Sequence, residues 1–149
     1  MPAKTIDELC INTIRTLSMD AVHGPPQVLL LARCSEVSLC IAAYEQLMSE
    51  GIEARVISMP SREISEHQSQ DYRDQVIPPE VTARVAVEQA STFGWERYLG
   101  LTGQSIGMRT FGALAPIKAL PQRFGFTLEH VAAAKEQWQI ARCQSQEGK

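Results

Sequence analysis

Apolar residues recur at helical spacing near the N-terminus of this chain. One face of the predicted helix carries Ile6, Leu9, Cys10, Thr13, Ile14 and Leu17. Thr5 and Glu8 form a capping box that predicts where the helix begins. His23-Gly24-Pro25-Pro26 predicts its end, because proline cannot continue a helix. We expect an N-terminal helix and junction over residues 1–24, followed by a domain over residues 25–149.

A strand–helix–strand pattern follows. Residues 27–32 (QVLLLA) are almost continuously apolar, which is typical of a strand buried on both faces. The apolar positions then return at helical spacing, between a predicted N-cap at Ser35 and a stop at Gly51. Residues 54–59 (ARVISM) predict the next strand, which Pro60 ends. Short connections favour parallel strands joined by a right-handed crossover.

The second half of the chain has weaker periodicity. Residues 61–80 are polar and are consistent with short helical turns, whereas residues 83–90 (ARVAVEQA) predict a third strand. The remaining expectations are a short helix and turn over 91–103, with a short strand near 98–101, a short strand or loop over 105–110, a short helix over 117–124, and a last helix capped by Thr127. Alternating strands and helices predict a three-layer α/β domain with a mostly parallel sheet.

Composition narrows the class of protein. A length of 149 residues suits one domain, and 44% hydrophobic residues suffice for a core. Lysine and arginine number 14 and aspartate and glutamate 17, so the net charge of −3 argues against nucleic acid as a partner. No apolar run reaches the length of about 18 residues that spans a bilayer, and a signal-peptide core is lacking. We expect a cytoplasmic protein that binds neither membrane nor nucleic acid.

Cysteine and histidine spacing does not predict a metal site. The cysteines are Cys10, Cys34, Cys40 and Cys143, with no CxxC pair. The histidines are His23, His67 and His130, each isolated in sequence. Zinc requires clustered thiolates or imidazoles, so we expect no metal and free thiols in a reducing compartment.

Two residues are candidates for a small-ligand or anion site. Ser35 begins a helix directly after a buried strand, where free N–H groups attract anions. The segment lacks a glycine-rich phosphate loop and Glu36 would repel a phosphate, so simple N-capping is favoured. Glu88 lies near a strand end, but no histidine or second carboxylate accompanies it in sequence, which favours an ion pair. No catalytic, cofactor or metal residue is predicted.

Residues 103–107 (GQSIG) match the letters of a nucleophile elbow around Ser105. The elbow requires a strand before the serine, a helix after it and a histidine downstream. A glycine-rich turn precedes this serine, and the only downstream histidine, His130, lies in the first turn of the last helix. Glycine turns are therefore favoured over a serine hydrolase.

An ordered series of segments carries a family resemblance: SEVSL (35–39), AYEQL (43–47), EGIEARV (50–56), SMPS (58–61), YRD (72–74), VIPP (76–79), VTARVAVE (81–88), FGW (93–95), TFGA (110–113), AP (115–116) and FGFT (124–127). In this order and spacing, residues 27–141 resemble the C-terminal domain of transketolase. Residues 4–22 resemble the N-terminus of the same enzyme, so the chain looks like both ends of it without the middle.

The resemblance implies a fold and limits the chemistry. It implies a Rossmann-like α/β/α sandwich whose five-stranded mixed sheet has four parallel strands and one antiparallel strand. In the family, thiamine diphosphate and Mg²⁺ are bound by domains whose motifs do not occur here, so neither is expected to bind this chain. Residues 23–26 depart from the family's Ser-Gly-His-Pro stretch, and no cofactor role is assigned to His23.

Two departures lie within the resembling domain. The family usually has Thr-Gly where this chain has Arg33-Cys34, and a cysteine there would strain a tight strand-to-helix turn. Arg62 replaces a large apolar residue of the family. If the missing domains normally cover that surface, an exposed charge would suit a free-standing domain.

Three functions follow as hypotheses. The first is a free-standing, non-catalytic transketolase C-terminal-like domain with a structural, interaction or regulatory role, which self-associates to cover its former domain interface. The second is a subunit of a split transketolase whose cofactor domains lie on a separate chain. The third is a small-ligand binder, for an anion, at the carboxyl ends of the strands near Ser35 and Glu88.

Overall fold

The computed structural model describes residues 25–108 and 125–133, together with residues 136 and 139. The described strands are β1 (Val28–Ala32), β2 (Ala54–Ser58), β3 (Arg84–Ser91) and β4 (Gln104–Met108). The described helices are α1 (Glu36–Ser49), α2 (Arg62–Glu66), α3 (Gln70–Val76), α4 (Glu96–Leu99) and α5 (Leu128–Ala132). No helix in this part of the chain has the length and apolarity required to cross a membrane.

The four strands form one sheet in the order β2-β1-β3-β4, and every neighbouring pair is parallel. Leu30 lies opposite Val56 on one side and Val85 on the other, so β1 is central. This confirms the predicted α/β class and the parallel strand–helix–strand unit. The strand count differs from the expected five: the described residues hold the four parallel strands, and the antiparallel fifth is not among them.

Local predictions had mixed outcomes. The expected strand near residues 98–101 is wrong, because Glu96–Leu99 forms helix α4. Trp95, Tyr98 and Leu99 are all buried, and their spacing puts them on one helical face. Thr127 is confirmed as an N-cap, since its hydroxyl accepts a hydrogen bond from the His130 amide. The predicted helices over residues 1–22 and 117–124 lie outside the described residues.

One face of the sheet is covered by α1 and α5 and is lined by aliphatic side chains. We call it the aliphatic face, and its strand residues include Val28, Leu30, Val56, Val85 and Val87. Helix α1 packs Cys40, Ala43 and Leu47 against them, and all three are fully buried. Gly51 ends the helix with φ +78, a conformation that favours glycine.

The opposite face is covered by the short helices α2, α3 and α4. We call it the mixed face, and its apolar residues include Leu29, Leu31, Ile57, Ala86 and Trp95. Because side chains alternate along β3, Ala86 and Glu88 point to this face while Val85 and Val87 point to the other. The two faces complete the predicted three layers of helix, sheet and helix.

Candidate functional site

Ser35 occupies the N-cap position of α1, but its side chain does not cap the helix. Its hydroxyl instead donates to Glu36 Oε1 at 2.8 Å, so the predicted side-chain cap is wrong. The amides of Glu36, Val37 and Ser38 donate to the carbonyls of residues 33, 34 and 35. The first N–H groups of this helix are therefore already paired, and the buried Glu36 carboxylate adds negative charge beside them.

Glu88 lies on the mixed face and is only 8% exposed. Its Oε2 accepts a hydrogen bond from Trp95 Nε1 at 3.4 Å and lies 3.7 Å from Arg33 Nη1. Both partners explain why a carboxylate tolerates burial here, since a buried charge needs a counter-charge or a donor. The carboxylate links β3 to α4 and to the residue after β1. Ser35 and Glu88 thus hydrogen-bond to different partners, and a ligand that bridges them stays a prediction.

The turn between β1 and α1 carries the departure from the family pattern noted above. Cys34 has φ +45, in the left-handed region that favours glycine, so the expected strain is present. Holding a residue with a Cβ in this region costs about 1–2 kcal/mol. The thiol of Cys34 is exposed, whereas Cys40 is buried, and burial raises the pKa of the Cys40 thiol to about 12.

Ser105 does not lie at a nucleophile elbow. It belongs to strand β4, opposite Ala86 of β3, rather than to a turn between a strand and a helix. His130 lies in α5, and its Nδ1 is 2.9 Å from the carbonyl oxygen of Gly125. The structure thus agrees with the preference for a structural interpretation of residues 103–107.

Arg62 is half-buried, and it is neither a freely exposed charge nor a residue buried against the sheet. Its Nη1 donates to the Phe93 carbonyl at 2.5 Å, and its guanidinium lies 5.8 Å from the centre of the Trp95 ring. The arginine therefore covers an aromatic ring that a large apolar side chain could equally cover. Gly94 makes room for it, since a Cβ there would lie 2.6 Å from Arg62 Nη1.

A polar cluster around Glu66 is the principal feature that sequence reasoning missed. Glu66 Oε1 accepts from the Tyr98 hydroxyl at 2.6 Å and lies 3.5 Å from Arg97 Nη1, while Oε2 accepts from Arg73 Nη1 at 3.2 Å. The Tyr98 hydrogen bond, with Arg97 and Arg73 nearby, lowers the pKa of Glu66. Burial, and then the contact with Glu66, raises the pKa of Tyr98 to about 12.

The cluster lines an open cavity of about 540 Å³ between helices α2, α3 and α4. Its residues come from three helices, α2 and α3 of the polar segment and α4, so no short sequence motif indicates them. The one available signal is the density of charged residues over 61–80, which are expected on any solvated surface.

The resemblance implies a thiamine diphosphate and Mg²⁺ site, which would need acidic or other metal-binding side chains close together. Within residues 25–108 and 125–133, no group of three His, Cys, Asp or Glu side chains is arranged to hold a metal ion. The most deeply placed acidic groups, Glu36 and Glu88, are already bonded to Ser35 and to Trp95. The described residues do not fit a Mg²⁺–diphosphate group, and no chemical step is derived through one.

Comparisons with known proteins give a consistent result. A family model described as the transketolase-like TK C-terminal domain matches residues 16–127. Transketolase 1 of Escherichia coli is 49% identical over 114 residues, which are 76% of this chain and 17% of that protein. Transketolase 10 of Craterostigma plantagineum is 48% identical over 112 residues, which are 74% of this chain and 16% of that protein. The chain thus spans about a sixth of the length of these relatives.

Solved structures agree with the sequence comparisons. Transketolase from Leishmania mexicana superposes with a TM-score of 0.76 at 36% identity, over 87% of this chain and 19% of that one. A chain described as a split gene transketolase, inactive beta4 tetramer, superposes with a TM-score of 0.50 at 21% identity. The second likeness, which covers 78% of this chain and 38% of that one, concerns the fold alone.

Proposed function

The chain belongs to the transketolase-like C-terminal domain family, and from this premise we propose that it is a non-catalytic structural or interaction module. The observation that carries the proposal is the extent of the match. It takes up 76% of this chain but only 17% of E. coli transketolase 1, and it falls in the C-terminal part of that protein. The thiamine cofactor carries the carbanion chemistry of ketol transfer, and the protein must bind and orient it.

The arrangement of polar groups supports a structural role. Glu88 is held by Trp95 and Arg33, and Glu66 is held by Tyr98 and two arginines. General acid–base catalysis needs a group within hydrogen-bond reach of a substrate proton and a pKa near the working pH. The hydrogen bond to Glu66 lowers its pKa, the opposite of what a general acid requires.

The proposal is tested by assaying the intact chain for ketol transfer from xylulose 5-phosphate to ribose 5-phosphate, with thiamine diphosphate and Mg²⁺ present. We expect no turnover, and no saturable heat when thiamine diphosphate with Mg²⁺ is titrated into the protein. Full-length E. coli transketolase serves as the positive control. Turnover by this chain, or saturable cofactor binding, would contradict the proposal.

A second candidate function is that of a subunit in a split transketolase. It rests on the extent of the match, 76% of this chain against 17% of E. coli transketolase 1, and a transketolase encoded by a split gene shares the fold of this chain. A separate chain would then supply the cofactor domains. Mixing this chain with a protein that carries only the two N-terminal transketolase domains should restore activity in proportion to the amount of this chain. Activity that does not depend on this chain would contradict the candidate.

The partner proposals follow from the same premise. We propose that the chain forms homo-oligomers, or pairs with a transketolase-type chain, in the cytoplasm, and that it binds neither nucleic acid nor membrane. Sedimentation of the purified chain over a range of concentrations tests self-association, since a monomer at all concentrations would contradict it. A small anion near Ser35 and Glu88 remains the least supported candidate, because the helix N–H groups there are already paired.

A further inference from the structure

The open cavity between α2, α3 and α4 has the size of a small-molecule site. Its volume is about 540 Å³, and sites for small molecules enclose about 300–1,000 Å³. Its lining includes Arg84, the first residue of β3, and side chains from the three short helices. Neither Ser35 nor Glu88 lines it.

The charges on the cavity wall favour an anion. Guanidinium groups from Arg73, Arg84 and Arg97 line it, against carboxylates from Glu66 and Asp74. Three guanidinium groups thus line the cavity against two carboxylates, and the Glu80 carboxylate acts on Arg84 from outside the lining. Both carboxylates already accept hydrogen bonds: Asp74 Oδ1 accepts from Gln70 Nε2 at 2.6 Å, and Glu66 accepts from Tyr98 and Arg73.

Arg84 is fixed in place by backbone contacts. It donates to the carbonyls of Val81, Tyr98 and Pro78 at 2.6, 2.8 and 2.9 Å, respectively. Its hydrogen-bond acceptors are neutral carbonyls, and the nearby Glu80 carboxylate offsets part of its charge. Arg84 therefore contributes positive charge at long range, while its N–H groups are already occupied.

Glu66 positions the two other guanidinium groups side by side. Arg73 Nη1 lies 3.2 Å from Glu66 Oε2, and Arg97 Nη1 lies 3.5 Å from Glu66 Oε1. One carboxylate therefore holds both guanidinium groups at the cavity wall. The Arg97 side chain is 62% exposed, and Glu66 is its one partner among the described residues. A guanidinium has five N–H donors in a planar fork, so Arg97 keeps most of its donors for another acceptor.

We propose that this cavity binds a phosphate group, with Arg97 as the main donor and with Arg73 and the Ser65 hydroxyl beside it. The guanidinium fork matches the spacing of phosphate oxygens, and charge-assisted hydrogen bonds of this kind are about twice as strong as neutral ones. Inorganic phosphate and a phosphate monoester share this chemistry. The site is independent of the proposed module function, since no cofactor or partner domain takes part in it.

Isothermal titration of the intact chain tests the proposal, with inorganic phosphate in one arm and glycerol 3-phosphate in the other, at constant ionic strength. We expect saturable binding of one ligand per chain, and the arm with the lower Kd identifies the source of the phosphate group. Arg97→Gln should raise Kd about tenfold, because one charge-assisted contact is lost. Arg97→Lys keeps the charge without the fork and should give an intermediate Kd.

Arg33→Gln is the matched control, because it removes one positive charge from a half-buried arginine that does not line the cavity. Its Kd should equal that of the parent chain. Thermal melts followed by circular dichroism establish that each variant is folded. Absence of saturable binding in both arms, or equal losses in Arg33→Gln and Arg97→Gln, would overturn the proposal.

Discussion

The two faces of the sheet are formed by the same strands but are covered by different helices. The aliphatic face lies against the 14-residue helix α1, and side chains such as Leu30 and Leu47 are fully buried there. The mixed face lies against three helices of 5, 7 and 4 residues, which carry the Glu66 cluster and the large cavity. A long amphipathic helix packs closely over one apolar surface, whereas short helices leave polar ends and gaps between them.

The two faces thus contribute differently to the domain, one mainly to stability and the other to its polar surface. The aliphatic face supplies burial of apolar area, the main favourable term in folding. On the mixed face the largest fully buried side chain is Trp95, which we call the anchor, and Arg62 and Glu88 contact it. We infer that stability is concentrated on the aliphatic face and at this anchor, and that ligand-binding potential is concentrated in the rest of the mixed face.

The largest expected effect comes from removing the anchor. Trp95→Ala should lower the free energy of unfolding by about 4 kcal/mol, since it leaves a large hole and deprives Glu88 of a donor. Urea denaturation measures the loss. Trp95→Phe keeps most of the ring and should cost clearly less. A loss for Trp95→Ala below that of Leu30→Ala would show that the anchor is not essential to the mixed face.

The next prediction compares two fully buried leucines of β1, one on each face of the sheet. Leu30→Ala, on the aliphatic face, should cost about 3 kcal/mol because the long helix above it cannot collapse into the space. Leu29→Ala, on the mixed face, should cost about 2 kcal/mol because the short helices can relax. Equal losses in urea denaturation would mean that the two faces are packed alike.

A smaller effect is expected at the contact between Gly94 and Arg62 on the mixed face. Gly94→Ala should cost about 2 kcal/mol, from its positive φ and from displacement of Arg62. Gly51→Ala is the control, since Gly51 has a similar φ of +78 but no atom lies within 4 Å of the added Cβ. In an Arg62→Ala background the two losses should become equal, as a double-mutant cycle would measure. A difference that persists there would exclude Arg62 as its cause.

The smallest effect concerns the hydrogen bond between Tyr98 and Glu66. Tyr98→Phe should cost about 1 kcal/mol at neutral pH. Because the folded pKa of Tyr98 is raised to about 12, above the unfolded value of about 10, the folded state favours the neutral phenol. That contribution is fully present below pH 10 and is lost as pH rises toward 12. The free energy of unfolding of Tyr98→Phe should therefore change less with pH between 10 and 12 than that of the parent chain.

Tyr44→Phe on the aliphatic face is the matched control for Tyr98→Phe. Tyr44 is also buried, but no hydrogen bond of its hydroxyl is found among the described residues. In thermal melts between pH 7 and 12, the Tm of this variant should fall with rising alkaline pH as it does in the parent chain. An unchanged slope in Tyr98→Phe would contradict the assigned role of Tyr98.

Sequence patterns predicted the central part of the fold because the signals there are local. The run QVLLLA, the helical spacing that begins after Ser35 and the run ARVISM each lie within one element, and all three elements form as expected. Helix α4 was partly mistaken for a strand, since four residues are too short for a period to be read with certainty.

The polar features were less predictable. Ser35 has the identity of an N-cap, but Glu36 next to it offers its hydroxyl a charged acceptor. The Glu66 cluster joins residues up to 32 positions apart on three helices, so their meeting depends on tertiary packing rather than spacing. Glu88 was correctly interpreted as paired, although its partner Trp95 was not predicted.

Strand β1 is hydrogen-bonded on both sides, to β2 and to β3, and every one of its residues is buried. Leu29 pairs with Arg84, which lies far along the chain, so the pairing of β1 with β3 closes a long loop. Such long-range parallel pairing is slow, and an uncharged run such as VLLLA is prone to intermolecular association while it is exposed. The yield of refolding should therefore depend on how quickly α1 and β2 cover this strand, more than on the stability of the finished fold.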